Sequence, residues 1–244
     1  MNNSEYREIE KRLAEIKLAK LQFEDRMHHL QMSMVTSVAR QILPGGYWSK
    51  NRHPIDDHTA HGVNLTFDDG PEPDTTPHLI EILAREGVKA TFFFLGENAR
   101  RYPNLVAEVH KAGHTVANHS MSHPFLPFHT TSRIEAEIDG TNRILQNITG
   151  ETPTLFRPPY GVMDARGARI LAERRMSAVY WNNVAADWMP IGAEAVVERI
   201  LRRLPADKLI VLHEEWSIAG QCLQATSAII SRVKAMGLKF EAIR

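Results

Sequence analysis

Gly62-Val63-Asn64-Leu65-Thr66-Phe67-Asp68-Asp69-Gly70-Pro71 runs from an apolar, partly β-branched stretch directly into two adjacent carboxylates and a Gly-Pro turn. Its first half has the composition of a buried strand, and its second half cannot continue one. Two like charges side by side at a strand end are costly unless a metal, an arginine or a shared proton compensates them.

Outward from this stretch the chain alternates. Strand-like runs at 62–67, 89–95, 114–117, 154–156, 177–181 and 208–212 are separated by helical patterns at 75–86, 104–111, 132–147, 164–175, 193–204 and 222–236, and a last short strand is expected at 238–242. Strands alternating with helices of this length predict βα units and a parallel sheet, an α/β fold. There is no internal repeat and no low-complexity tract.

Upstream, Tyr6, Ile9, Leu13, Ile16, Phe23, Met27, Leu30 and Met34 recur at steps of three and four, interrupted at Lys20. Residues 1–43 therefore read as a long amphipathic helix that either docks onto the following domain or joins a second copy of the chain as a homo-oligomer. Residues 44–61, rich in Pro, Gly, Asp and His, read as a linker or loop, and 62–244 as one α/β domain.

With 29 basic and 29 acidic residues the formal charge is zero, so no global field draws the protein to nucleic acid or an anionic membrane. A neutral partner such as a sugar is compatible with that balance. The single cysteine, Cys222, forms no intrachain disulfide and reads as a small buried hydrophobe. The N-terminus lacks the apolar core of a signal peptide, and no stretch approaches the ~18 apolar residues of a membrane span. The expected location is cytoplasmic.

Four further motifs follow the aspartates: His119-Ser120-Met121-Ser122-His123, Arg157-Pro158-Pro159-Tyr160-Gly161, Asp187-Trp188 and Val211-Leu212-His213. Each lies at or just after the end of an expected strand, the functional face of βα architectures. Taken singly they are weak. Twelve histidines in 244 residues give about 0.6 His-x3-His pairs by chance, and His110 with His114 forms a second one that reads as structural. Bare Asp-Asp-Gly-Pro is ordinarily a polar turn.

In this order the set resembles the NodB-type polysaccharide deacetylases of carbohydrate esterase family 4, over residues from about Val63 to the C-terminus. The resemblance implies an incomplete (β/α) barrel of about seven parallel strands. Asp69, His119 and His123 then form a two-His, one-carboxylate site for one divalent metal; the ligand set admits Zn²⁺, Co²⁺ or Fe²⁺, and the family favours zinc. Two imidazoles at this spacing would share one side of a helical turn. Asp68 is assigned as general base and His213 as general acid. Arg157 is implied to pair with Asp68, and Asp187 to support the Arg and His network. The Tyr160 backbone N–H would help hold the oxyanion, while Trp188 and Val211 line the acetyl pocket. Glu214 stands where the family more often carries Asp. The implied activity is metal-dependent removal of N-acetyl groups from an acetylated, GlcNAc-containing saccharide of the chitooligosaccharide type. Two alternatives use the same residues: an O-acetyl esterase acting on a polysaccharide such as xylan, and a catalytically silent sugar-binding domain.

Overall fold

The computed structural model describes residues 62–181 and 183–243; the helix and linker read at 1–43 and 44–61 lie outside the described residues. Seven strands form one parallel sheet: β1 (Asn64–Asp68), β2 (Thr91–Phe94), β3 (Thr115–Asn118), β4 (Leu155–Phe156), β5 (Ser177–Ala178), β6 (Asn183–Val184) and β7 (Leu209–His213), in the order β5-β4-β3-β2-β1-β7-β6. Among the described residues seven α-helices accompany them: α1 (Thr76–Arg85), α2 (Gly96–Arg101), α3 (Pro103–Lys111), α4 (Thr131–Thr149), α5 (Ala165–Glu173), α6 (Ala193–Arg203) and, after the last strand, α7 (Ala219–Ala235).

The edges of this sheet are β5 and β6, which are nearly consecutive in sequence. Flat, six strand spacings would separate them by about 29 Å. The chain from Ala178 to Asn183 reaches at most about 18 Å, so the sheet has to roll up. The segment starting at Ser177 pairs with β4 at its first end and with β7 at its last, drawing the two edges together into a half-barrel.

Period-two alternation then divides the side chains. Leu65, Phe67, Phe92, Phe94, Ile210 and Leu212 face the helices in the outer core, whereas Phe93, Leu209 and Val211 fill the barrel interior with Ala117, Leu155, Val179 and Ile243. Thr66 and Asp68 fall in the inward register of β1, and His213 in that of β7. Parallel pairing sets Asp68 directly opposite His213. Cys222 is buried in the outer core, where burial pushes its thiol pKa up and keeps it a neutral packing group. No described helix is long and apolar enough to cross a membrane.

Three elements differ from the sequence reading. The strand expected at 238–242 is a single bridge, Phe240 to Val63. The seventh strand is instead β6, only two residues long. Its Asn183 side chain donates to the carbonyls of Ile200 and Asp207, so polar anchoring rather than an apolar run defines it, and period two has nothing to register. Likewise α2, Gly-Glu-Asn-Ala-Arg-Arg, is too short and too polar to show a helical stripe.

His114 is structural. Its ring packs on Phe92 with centroids 5.5 Å apart, and Nδ1 accepts from the Ala90 N–H. Burial, reinforced by Lys89, depresses its pKa to about 4. The unfolded chain binds this proton below about 6.5 and the folded chain only near 4, so the contribution is complete above pH 6.5 and lost as pH falls to about 4. The expected loss from this one group is about 3 kcal/mol. His114→Asn should therefore show a smaller drop in Tm between pH 7.5 and 4.5 than the parent.

Candidate active site

Asp68 ends β1 inside the barrel mouth and is 1% exposed; Arg157, just after β4, is fully buried. Arg157 Nη1 donates to Asp68 Oδ1 at 2.5 Å and to Thr66 Oγ1 at 2.8 Å, Nε donates to the Val179 carbonyl, and the guanidinium lies over the Phe93 ring, 4.0 Å from its centroid. Burial alone would raise the Asp68 pKa. Arg157, His119 and His213 outweigh it and hold the carboxyl below its usual value of 3.8.

On a regular strand the next residue would point away from Asp68. Asp69 instead adopts a left-handed φ of 73°, which carries its side chain to the histidine loop. Asp69 Oδ1 lies 3.5 Å from His119 Nε2 and 3.7 Å from His123 Nε2, and it is a buried oxygen with no hydrogen-bond partner. The three donor atoms all lie within 4.8 Å of one another. These separations are too long for hydrogen bonds. They suit three atoms around one ion, because metal–ligand bonds of about 2.0–2.2 Å in a tetrahedron place ligand atoms about 3.3–3.6 Å apart. The His119 ring orientation agrees: Nδ1 sits 2.7 Å from the Arg157 carbonyl, which can only accept, so Nδ1 carries a proton and Nε2 is the nitrogen turned to Asp69. The residues therefore fit a divalent metal.

The loop itself departs from the sequence reading. Residues 119–123 form no helical turn; Ser120 and His123 take φ of 70° and 56°, and side-chain bonds within the loop override helical spacing.

Across the mouth, both oxygens of buried Asp187 are engaged by His213: Oδ2 accepts from its backbone N–H at 2.7 Å and Oδ1 faces ring Nδ1 at 2.9 Å. Burial disfavours the imidazolium, but Asp187, with Asp69 and Asp68 behind it, lifts the His213 pKa to about 9. Both carboxylate oxygens of Asp187 thus serve the histidine, and Arg157 pairs with Asp68. Trp188 sets its indole edge-on to His213 at 5.1 Å, and Val211 is buried one layer below. Tyr160, half-exposed with φ of 57°, stacks edge-to-face on His123 at 4.6 Å.

Residues outside the motifs join the site. Phe125 contacts Tyr160 and exposed Phe128, extending an aromatic file outward from His123. Glu214 is buried against Gly70 and accepts from the Thr76 hydroxyl; burial, with Glu72 and the two aspartates, raises it to about 8, so it is neutral at pH 7. In the sequence it stood out as the residue after His213, at a position where the family more often carries Asp.

A parallel half-barrel with this polar constellation at the C-terminal ends of its strands defines the class, and comparison with known proteins names it. The polysaccharide deacetylase family model matches residues 56–179. A peptidoglycan-N-acetylglucosamine deacetylase of Bacillus cereus is 35% identical over 182 residues, 73% of this chain and 65% of that protein. A chitooligosaccharide deacetylase of Sinorhizobium fredii is 35% identical over 156 residues, 64% of this chain and 73% of its own. A solved peptidoglycan N-acetylglucosamine deacetylase, in complex with 4-naphthalen-1-yl-N-oxidanyl-benzamide, superposes with a TM-score of 0.72 at 32% identity, covering 75% of this chain and 86% of that one.

The chain belongs to the polysaccharide deacetylase family. The family match ends at Val179, before Asp187 and His213, which the barrel itself returns to the site.

Proposed function

We propose that this protein hydrolyses the N-acetyl groups of a GlcNAc-containing saccharide, releasing acetate and a free amine. The carrying observation is the orphaned Asp69 Oδ1 facing two imidazole nitrogens at 3.5 and 3.7 Å, set between the Asp68–Arg157 and Asp187–His213 pairs. Asp69, His119 and His123 would hold the metal. A divalent transition metal, by the family zinc, would polarise the acetyl carbonyl and acidify water.

The chain's own residues perform the rest. Asp68, ionised and oriented by Arg157, accepts the proton of the attacking water as its oxygen bonds to the acetyl carbon. The Tyr160 backbone N–H, in the turn that follows Arg157, contributes to holding the negative oxygen of the tetrahedral intermediate. His213, kept as imidazolium by Asp187, gives its proton to the nitrogen as the C–N bond breaks. Trp188 and Val211 supply apolar walls for the acetyl methyl.

Support for an N-acetyl substrate comes from the names of the B. cereus and S. fredii relatives, and support for a metal from the solved relative's ligand, whose N-hydroxyamide group is a chelator. Acetate release should be measured on chitin oligomers, peptidoglycan and acetylated xylan, with and without a chelator. Chelator-sensitive release from the first two is expected; release from xylan alone would establish the esterase. Elemental analysis should find about one transition metal per chain, and His119→Ala should lose both metal and activity. A His119→Ala protein that retains both would sink the site.

A further inference from the structure

The histidine loop holds two non-glycine residues at left-handed φ, Ser120 and His123, each costing of order 1–3 kcal/mol. Such a loop keeps its shape only if its surroundings over-determine it. All four consecutive backbone N–H groups from 120 to 123 donate to side-chain oxygens: Ser120 to Asn118 Oδ1 at 2.7 Å, Met121 and Ser122 both to Glu137 Oε2 at 2.9 Å, and His123 to Ser120 Oγ at 3.1 Å. The other Glu137 oxygen, Oε1, accepts from the Ser122 hydroxyl at 3.0 Å and pairs with Arg133 at 2.6 Å. On the opposite side, the carbonyls of Ser120 and Met121 accept from the N–H groups of Gly96 and Glu97 in α2.

Among the acceptors of these four N–H groups, Glu137 alone comes from a distant element. It lies on α4, fourteen residues beyond His123 and outside every motif, yet it is 1% exposed and anchors two of the three residues lying between the ligands. A carboxylate accepting successive backbone N–H groups makes charge-assisted bonds about twice as strong as neutral ones.

We infer that Glu137 is a positioning residue for the metal centre: by clamping Met121 and Ser122 it sets the separation and aim of the His119 and His123 nitrogens around Asp69. It touches neither metal nor substrate. The inference rests on the metal reading above.

The test is Co²⁺ binding to the full chain, by competition with a chromophoric chelator and by the visible Co²⁺ spectrum, for wild type, Glu137→Ala, Glu137→Gln and Arg133→Ala. Glu137→Ala should weaken binding about 10–100-fold and alter the spectrum, as loss of outer-shell partners of metal ligands does. Glu137→Gln keeps the shape and one acceptor oxygen, so its affinity and spectrum should fall between those of wild type and Ala. Arg133→Ala removes a half-exposed partner that does not touch the loop and should stay within about 2-fold. Unchanged affinity and spectrum in Glu137→Ala would overturn the inference. If Glu137→Ala fails to fold, Glu137→Gln decides, a loss of about 3-fold or more supporting the clamp and wild-type affinity overturning it. A wild-type chain that binds no Co²⁺ would overturn the metal reading itself, and the wild-type control separates that failure from a failure of Glu137 alone.

Discussion

Asp68→Asn is expected to retain its metal and lose about 10²–10⁴-fold in kcat, the range for removal of a general base. Both halves follow from the division of labour between the paired aspartates. Asp69 Oδ1 faces the two histidines, whereas Asp68 Oδ1 faces Arg157 and its Oδ2 stands 3.9 Å from His119 Nε2. The amide keeps an oxygen for Arg157 to bond but cannot take a proton. It also leaves a fully buried guanidinium without its counter-charge, a cost of about 3 kcal/mol, or about 6–12 °C in Tm for a domain of this size. Activity should therefore be compared well below the melting point of the variant. Metal lost on Asp68→Asn and kept on Asp69→Asn would show the roles to be reversed.

His213→Ala should damage amide hydrolysis far more than hydrolysis of an activated aryl acetate. A phenolate leaves without a proton and an amine does not, so the selective loss, about 10²-fold or more on the N-acetyl sugar, marks a proton donor. Equal losses on both substrates would reduce His213 to a packing residue.

The pH profile supplies a second readout. With its pKa lifted to about 9 by Asp187, His213 is protonated through neutrality and deprotonates above that value. A dication bound beside it would lower this, so the alkaline limb of kcat/KM should fall at or below pH 9. Asp68, held below 3.8, stays ionised across the same window, so the acid limb should lie far from neutrality unless another group sets it. Asp187→Asn removes the charge that sustains the imidazolium, and the alkaline limb should move down by about one unit or more. An alkaline limb unmoved in Asp187→Asn would assign it to a different group.

The parallel α/β architecture was legible in the sequence because β1, β2 and β7 are long and apolar enough to show as runs, and α1, α3, α4 and α6 carry recognisable stripes. The motifs were legible because strand ends expose chemistry in short, dense clusters. What escaped notice was polar or very short: β6, α2, and the clamp from Glu137, whose carboxylate on a helix face looks like any solvated glutamate until the fold buries it.

By itself, then, the chain determined which residues carry chemistry and that they sit at strand ends, since local composition and period suffice for that. Which atoms meet is a different question. The pairing of Asp68 with His213 depends on the register of β1 against β7, the closure that brings Asp187 back depends on a segment that pairs with both β4 and β7, and the aim of Asp69 and His123 depends on left-handed backbone that the surrounding contacts hold in place. Those were decided by tertiary structure alone, because each rests on contacts between residues tens to more than a hundred positions apart, and a sequence pattern encodes only the neighbours within a few turns.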